Sequence, residues 1–181
     1  LQDFAVAEVP IEGRPHVAWT PVPVTLGDGT VVELRRPAWR IVDLGYGPMD
    51  PRTAISPRVA PPMIGLGLLE AVPEADIRAW ADPQDADGDG VSGRAAVVAD
   101  WASAGTALGR FGWKASQPTL RQQAASAFSG DMGLSTSLSA DHAGDCTEGQ
   151  TACLSAPAGS VDDRPEVSDT LLDLVTFYSR H

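Results

Sequence analysis

The chain's 181 residues suit one domain with a core of its own, and 43% hydrophobic against 20% charged residues excludes disorder along its whole length. A formal net charge of −11 weighs against nucleic acid or an anionic membrane as partner and fits a protein held outside the cytoplasm. No apolar run approaches the roughly 18–20 residues of a membrane-crossing helix, so membrane insertion is not expected, and 15 Pro with 18 Gly announce short elements and much irregular backbone.

Residues 1–15 read as a lead-in strap without periodicity. From His16, H-V-A-W-T-P-V-P-V-T-L, then G-D-G at 27–29, then T-V-V-E-L-R-R predicts a β-hairpin. Pro21 and Pro23 lack a donor, so that strand belongs at an edge or is broken there. A turn at Pro37 and a third strand over Trp39–Leu44 are expected to follow. Five prolines between 45 and 62 predict a long extended crossing. Ile64–Val72 reads as a short buried helix. Pro73 at a helix N1 position, with Glu74 and Asp76 in the first turn, starts another through Trp80.

That helix leads into D-P-Q-D-A-D-G-D-G-V-S-G-R, residues 82–94. Asp85, Asp87 and Asp89 fall at positions 1, 3 and 5 of a calcium-type loop, Gly90 takes the sharp turn at position 6, and Val91 offers its carbonyl at position 7. Position 12 is Ala96, so the last ligand would come from Asp82, Asp100, a backbone carbonyl or water. An acidic turn held in solvent uses the same residue types.

Gly109–Ala115, G-R-F-G-W-K-A, sets Arg110 and Lys114 around Phe111 and Trp113. It either grips a planar anionic ligand or buries its aromatics and leaves its cations in water. Ser116 and Pro118 predict the cap and first turn of a helix that stops at Ser129–Gly130. Residues 131–164 read as loop. Ser168 caps a last helix whose packed face is expected at Leu171, Leu174, Val175 and Tyr178, with Leu172 beside it.

Cys146 and Cys153, seven apart, predict a short-loop disulfide and with it an oxidising compartment, two free thiols being the alternative. His16, His142 and His181 are scattered and give no zinc spacing. No start Met or signal peptide is present, and the chain reads as a piece of a longer polypeptide.

Five blocks in order carry a resemblance: L-Q-D-F-A-V, S-P-R-V-A-P-P-M-I-G-L-G-L-L-E-A-V-P-E-A-D-I, D-A-D-G-D-G-V-S-G-R, L-G-R-F-G-W-K-A-S-Q-P-T-L-R-Q-Q and L-L-D-L-V-T-F-Y-S-R. Together they resemble the bacterial di-haem oxidoreductases, described as peroxidases or thiol oxidoreductases. The resemblance implies an exported c-type cytochrome with two haems, flanking haem-bearing domains and a redox partner. Covalent haem c needs C-x-x-C-H, which this chain lacks. The family's two attachment motifs lie before and after the region resembled, so the resemblance makes this chain the stretch between them. It also implies Trp113 as a macrocycle contact or electron relay, Arg58, Arg110 and Lys114 as partners of haem propionates, and Met132 as an axial ligand ahead of Met63 and Met49.

The fold expected is α+β: a small antiparallel sheet in the N-terminal quarter, then short helices and extensive loop. One domain over 1–181 would hold a strand-rich part at 1–45, the crossing, acidic loop and helices at 46–130, and the disulfide loop and last helix at 131–181. The function expected is that of a segment of a periplasmic or secreted di-haem oxidoreductase that packs around haem c and is braced by Ca²⁺. The alternative is a non-catalytic, calcium-stabilised structural or interaction domain.

Overall fold

The computed structural model describes residues 1, 7–160, 162 and 164–181. The first block of the resemblance, apart from Leu1, lies outside the described residues. In chain order come β1 (Arg14–Thr25), β2 (Val31–Val42), α1 (Gly67–Glu70), α2 (Glu74–Ala79), β3 (Val97–Asp100), β4 (Gly105–Leu108), α3 (Leu120–Met132), α4 (Thr151–Leu154) and α5 (Asp169–Arg180). The class is α+β, as expected. The backbone forms two compact units, Leu1–Ala60 with Cys146–Ala156, and Pro61–Asp145 with Pro157–His181.

In the first unit β1 and β2 form a two-stranded antiparallel ribbon of twelve pairs, from Arg14 opposite Val42 to Thr25 opposite Val31. Leu26 donates its N–H to the Thr30 carbonyl at 2.8 Å, and Asp28 Oδ1 takes the Thr30 N–H at 2.9 Å, which closes the turn. The Leu26–Thr30 bond sets the ladder bonds on even-numbered pairs, so odd-numbered residues turn their N–H outward. Pro15, Pro21, Pro23 and Pro37 are all odd. None of them costs the ladder a bond.

This corrects the expected third strand. Pro37 makes no turn; it sits opposite Trp19 where no donor is needed, and Trp39–Val42 continues β2. Beyond the ribbon, Gly45 donates to the Glu12 carbonyl at 3.2 Å and Tyr46 Oη to that of Pro10 at 2.9 Å. Gln150 Nε2 reaches Glu12 Oε1 at 3.0 Å, tying the start of α4 to the same stretch. The crossing at 45–62 contains no helix or strand.

The second unit is centred on α3 and α5. Ala124, Ala125, Val167 and Leu172 form its core, with Phe128, Leu134, Leu138 and Val175 packed around them. Arg121 on α3 forks onto Asp169 and Asp173 of α5, with Nε 2.8 Å from Asp173. The α3 boundaries differ from expectation at both ends. Thr119 is the N-cap, its Oγ1 taking the Gln122 N–H at 3.1 Å. The helix runs through Gly130 and stops where Gly133 turns left-handed at φ 66°, a conformation that favours glycine.

Helix α5 starts on Ser168 as expected, and Leu172 and Val175 pack inward as expected, but the other three residues of the expected face point outward. Leu172, Thr176 and Ser179 are buried with Val175 beside them, whereas Leu171, Leu174 and Tyr178 are 46%, 60% and 67% exposed. Both stripes have helical spacing, and the inward one holds a hydroxyl satisfied within the helix: Thr176 Oγ1 donates to the Leu172 carbonyl at 2.7 Å.

Helix α1 is one turn with no buried residue, in place of the buried helix expected over 64–72; Leu68 is 82% exposed. Pro73 stands one place earlier than expected, as the N-cap of α2. The β3–β4 hairpin, Val97 opposite Leu108 through Asp100 opposite Gly105, was not expected, because A-V-V-A-D carries no alternation.

Candidate functional site

The acidic loop leaves α2 through a bridge in which Asp82 donates its N–H to the Gly93 carbonyl at 2.9 Å. That bridge closes residues 83–92 into a ring and turns the Asp82 side chain inward. Carboxylate oxygens of Asp82, Asp85 and Asp87 come within 4.8 Å of one another. Each also accepts from the loop backbone: Asp82 from Ala86 at 2.8 Å, Asp85 from Gly90 at 3.1 Å, and Asp87 from Asp89 at 3.2 Å.

Asp89 lies apart from that group, its Oδ1 turned onto the Val91 N–H at 2.7 Å, and Val91 itself is 66% exposed. Asp100 is engaged elsewhere. The Ser103 hydroxyl, followed by the Ala102 N–H, holds its carboxyl below the usual range. Among the described residues no Lys or Arg forms an ion pair with Asp82, Asp85, Asp87 or Asp89. Three carboxylate oxygens this close, with no cationic side chain paired to them, could hold a hard divalent ion, and acidic loops of this kind also stand without one.

The Gly109–Ala115 stretch divides. Its first half faces in: Phe111 is 3% exposed, and the Arg110 guanidinium donates to the carbonyls of Leu69 and Val72 at 3.1 and 2.7 Å, closing the end of α1. The second half faces out, with Trp113 61% exposed and Lys114 exposed beside it. Met132, the last residue of α3, is 63% exposed, and Met63 and Met49 are 39% and 36% exposed. Arg58 belongs to the other unit, where its Nε donates to Ser56 Oγ at 3.1 Å.

The sequence did not reveal a cavity of about 200 Å³ in the second unit, lined by Ser135, Thr136, Ser137, His142, Ser160 and Arg164 among others. Its walls come from two segments some twenty residues apart, and their hydroxyls have no motif spacing. Glu166 fastens the segments together, accepting from the Ser135 N–H at 2.8 Å and the Gly159 N–H at 2.7 Å. The Ser135 backbone bond holds the Glu166 carboxyl below the usual glutamate range.

Cys146 and Cys153 are bonded to each other. They are followed by Thr147 and Leu154, not His, and stand seven apart, so neither spacing nor neighbours fit thioether attachment of haem c. Among the described residues no helix is long and apolar enough to cross a membrane.

No curated protein and no solved structure gives a significant match to this chain. A family model described as "di-haem oxidoreductase, putative peroxidase" matches residues 12–181, taking in the acidic loop, the Gly109–Ala115 stretch, the cysteine pair and α5. On that coverage the chain belongs to the di-haem oxidoreductase family.

Proposed function

We propose that this chain is the part of an exported di-haem oxidoreductase that lies between the two haem-attachment motifs and packs around haems anchored outside it. The observation that carries this reading is a family match over residues 12–181 of a stretch that contains no C-x-x-C-H. The disulfide supports a periplasmic or secreted location, since such bonds persist in oxidising compartments. In this reading haem c supplies the one-electron chemistry, and the chain supplies walls and charges around it.

Trp113 and Lys114, exposed side by side, are the residues we assign to a macrocycle edge and a propionate. Arg58 is a second propionate partner, and Met132 offers a thioether for an axial position. Arg110 serves that role less well, because its guanidinium already holds two carbonyls of the α1 turn. The Asp82, Asp85 and Asp87 carboxylates take Ca²⁺, which pins the loop after α2 in a structural role.

The test is to express the longer gene in the periplasm with haem-maturation machinery and map haem-bearing peptides by mass spectrometry. All of them are expected outside residues 1–181. A parent polypeptide without C-x-x-C-H, or a covalent Soret-absorbing species on the isolated chain, would overturn the reading.

A further inference from the structure

We propose that the even-numbered face of the β1–β2 ribbon is a docking surface for an acidic protein, one that presents a row of carboxylates. The chain carries a net charge of −11, yet residues 14–42 hold four arginines (Arg14, Arg35, Arg36, Arg40) against Asp28 and Glu33. The register sorts these charges. Side chains alternate between the two faces of a strand, so Arg14, His16, Arg36 and Arg40 share the even face, and no carboxylate of either strand joins them. Glu33 is on the odd face with Arg35, whose guanidinium lies 4.9 Å from the Trp19 ring.

The cations of the even face are exposed. Arg36 and Arg40 make no hydrogen bond or ion pair among the described residues, and Arg14 has a 3.8 Å contact with Asp43 in which both side chains are more than 60% exposed. At a strand rise of about 3.3 Å per residue, Arg36 and Arg40 stand about 13 Å apart, and the cationic row runs about 20 Å. That length matches an array of carboxylates on a macromolecule and exceeds what one small dianion can span.

Further along the same face Val22, Val24, Leu26, Val32 and Leu34 follow, with Leu34 52% and Leu26 46% exposed. Arginines beside an apolar strip are the composition of a protein interface. Val22, Val24 and Val32 are half-buried and the rest of both faces is mostly exposed, so a two-stranded ribbon like this one, with too little core of its own, also gains stability from a cover. Screening beyond about 10 Å makes this local charge, rather than the net −11, the field a docking partner meets. An anionic bilayer fits less well, because Asp28 stands at the turn that would lead the ribbon into it.

The proposal is independent of where haem is attached, so its failure leaves that assignment standing. The experiment titrates a labelled polyglutamate peptide with the chain and follows anisotropy. Saturable binding is expected at low ionic strength and should vanish near 1 M salt, where screening shortens to about 3 Å. Arg36→Glu with Arg40→Glu should weaken it at least about ten-fold by placing like charges opposite one another. Arg52→Glu with Arg78→Glu changes the net charge equally elsewhere and should bind like the parent.

If the reversal disturbs the ribbon's circular dichroism, Arg36→Gln with Arg40→Gln replaces it. No saturable binding, or equal loss in both variant pairs, overturns the proposal. Tighter arginine-dependent binding to phosphatidylserine vesicles or duplex DNA than to polyglutamate assigns the face to lipid or nucleic acid and overturns it as well.

Discussion

Replacing Leu172 by Ala in α5, with Leu174→Ala as its pair, tests which side of the last helix is interior. Leu172 is fully buried against Ala124, Ala125 and Val167, whereas Leu174 is 60% exposed. Removing three buried carbons at about 0.8 kcal/mol each costs roughly 2.5 kcal/mol. The alanines facing Leu172 are too small to swing into the void, so a residual cavity adds about 1 kcal/mol more. At about 2–4 °C per kcal/mol, Leu172→Ala should lower the melting temperature by roughly 7–14 °C. Leu174→Ala should stay within about 0.5 kcal/mol of the parent. Urea unfolding followed by circular dichroism reads both values. Equal costs for the two variants, or a larger one for Leu174→Ala, would refute the assignment of the buried face.

Gly109→Ala would set a Cβ onto the Ala115 carbonyl oxygen, where backbone meets backbone and neither side can yield. A loss of at least about 3 kcal/mol is expected in the same unfolding assay. Glu166 has a folded-state pKa below 4.5, so its contribution is present above that value and is lost as pH falls through the depressed pKa. Stability should therefore decline with acid below about pH 4.5, and Glu166→Gln should flatten that decline in a pH series of urea midpoints. Calcium at about 100 times its dissociation constant should stabilise the chain by about 2.7 kcal/mol. A melting temperature unmoved by Ca²⁺ or chelator, or a Ca²⁺ effect that survives Asp82→Ala and Asp87→Ala, would count against the cation. Reducing Cys146–Cys153 opens a loop of eight residues and should cost about 2.5 kcal/mol; unreduced protein should resist alkylation.

Local signals carried much of the fold. Ser168 before an apolar helical repeat located α5, and G-D-G between two β-branched runs located the ribbon. What the sequence could not show was decided by partners distant along the chain. Two stripes of helical spacing run along α5, the more apolar one facing outward, and the choice between them rests on α3, fifty residues earlier. Pro37 looked like a turn because its harmlessness depends on facing Trp19 in the register.

The candidate site follows the same division. The aspartate alternation at 85, 87 and 89 was legible, but the carboxylates that converge are those of 82, 85 and 87, because a bridge from Asp82 to Gly93 shapes the loop. Nothing near Arg110 in the sequence signals that its guanidinium donates to the Leu69 and Val72 carbonyls, about forty residues away. Val97–Asp100 and Gly105–Leu108 gave no strand signal, since they are four residues each and their residue types do not alternate apolar with polar.

The placement of the prolines bears on how the ribbon behaves in a crowded solution. Any stray strand that sought to extend it beside β1 would find gaps in the rail of donors at positions 15, 21 and 23, whereas β2 is interrupted at 37 alone. Growth of the sheet is thereby biased to one side, and a long exposed ribbon is discouraged from templating fibrils along the other.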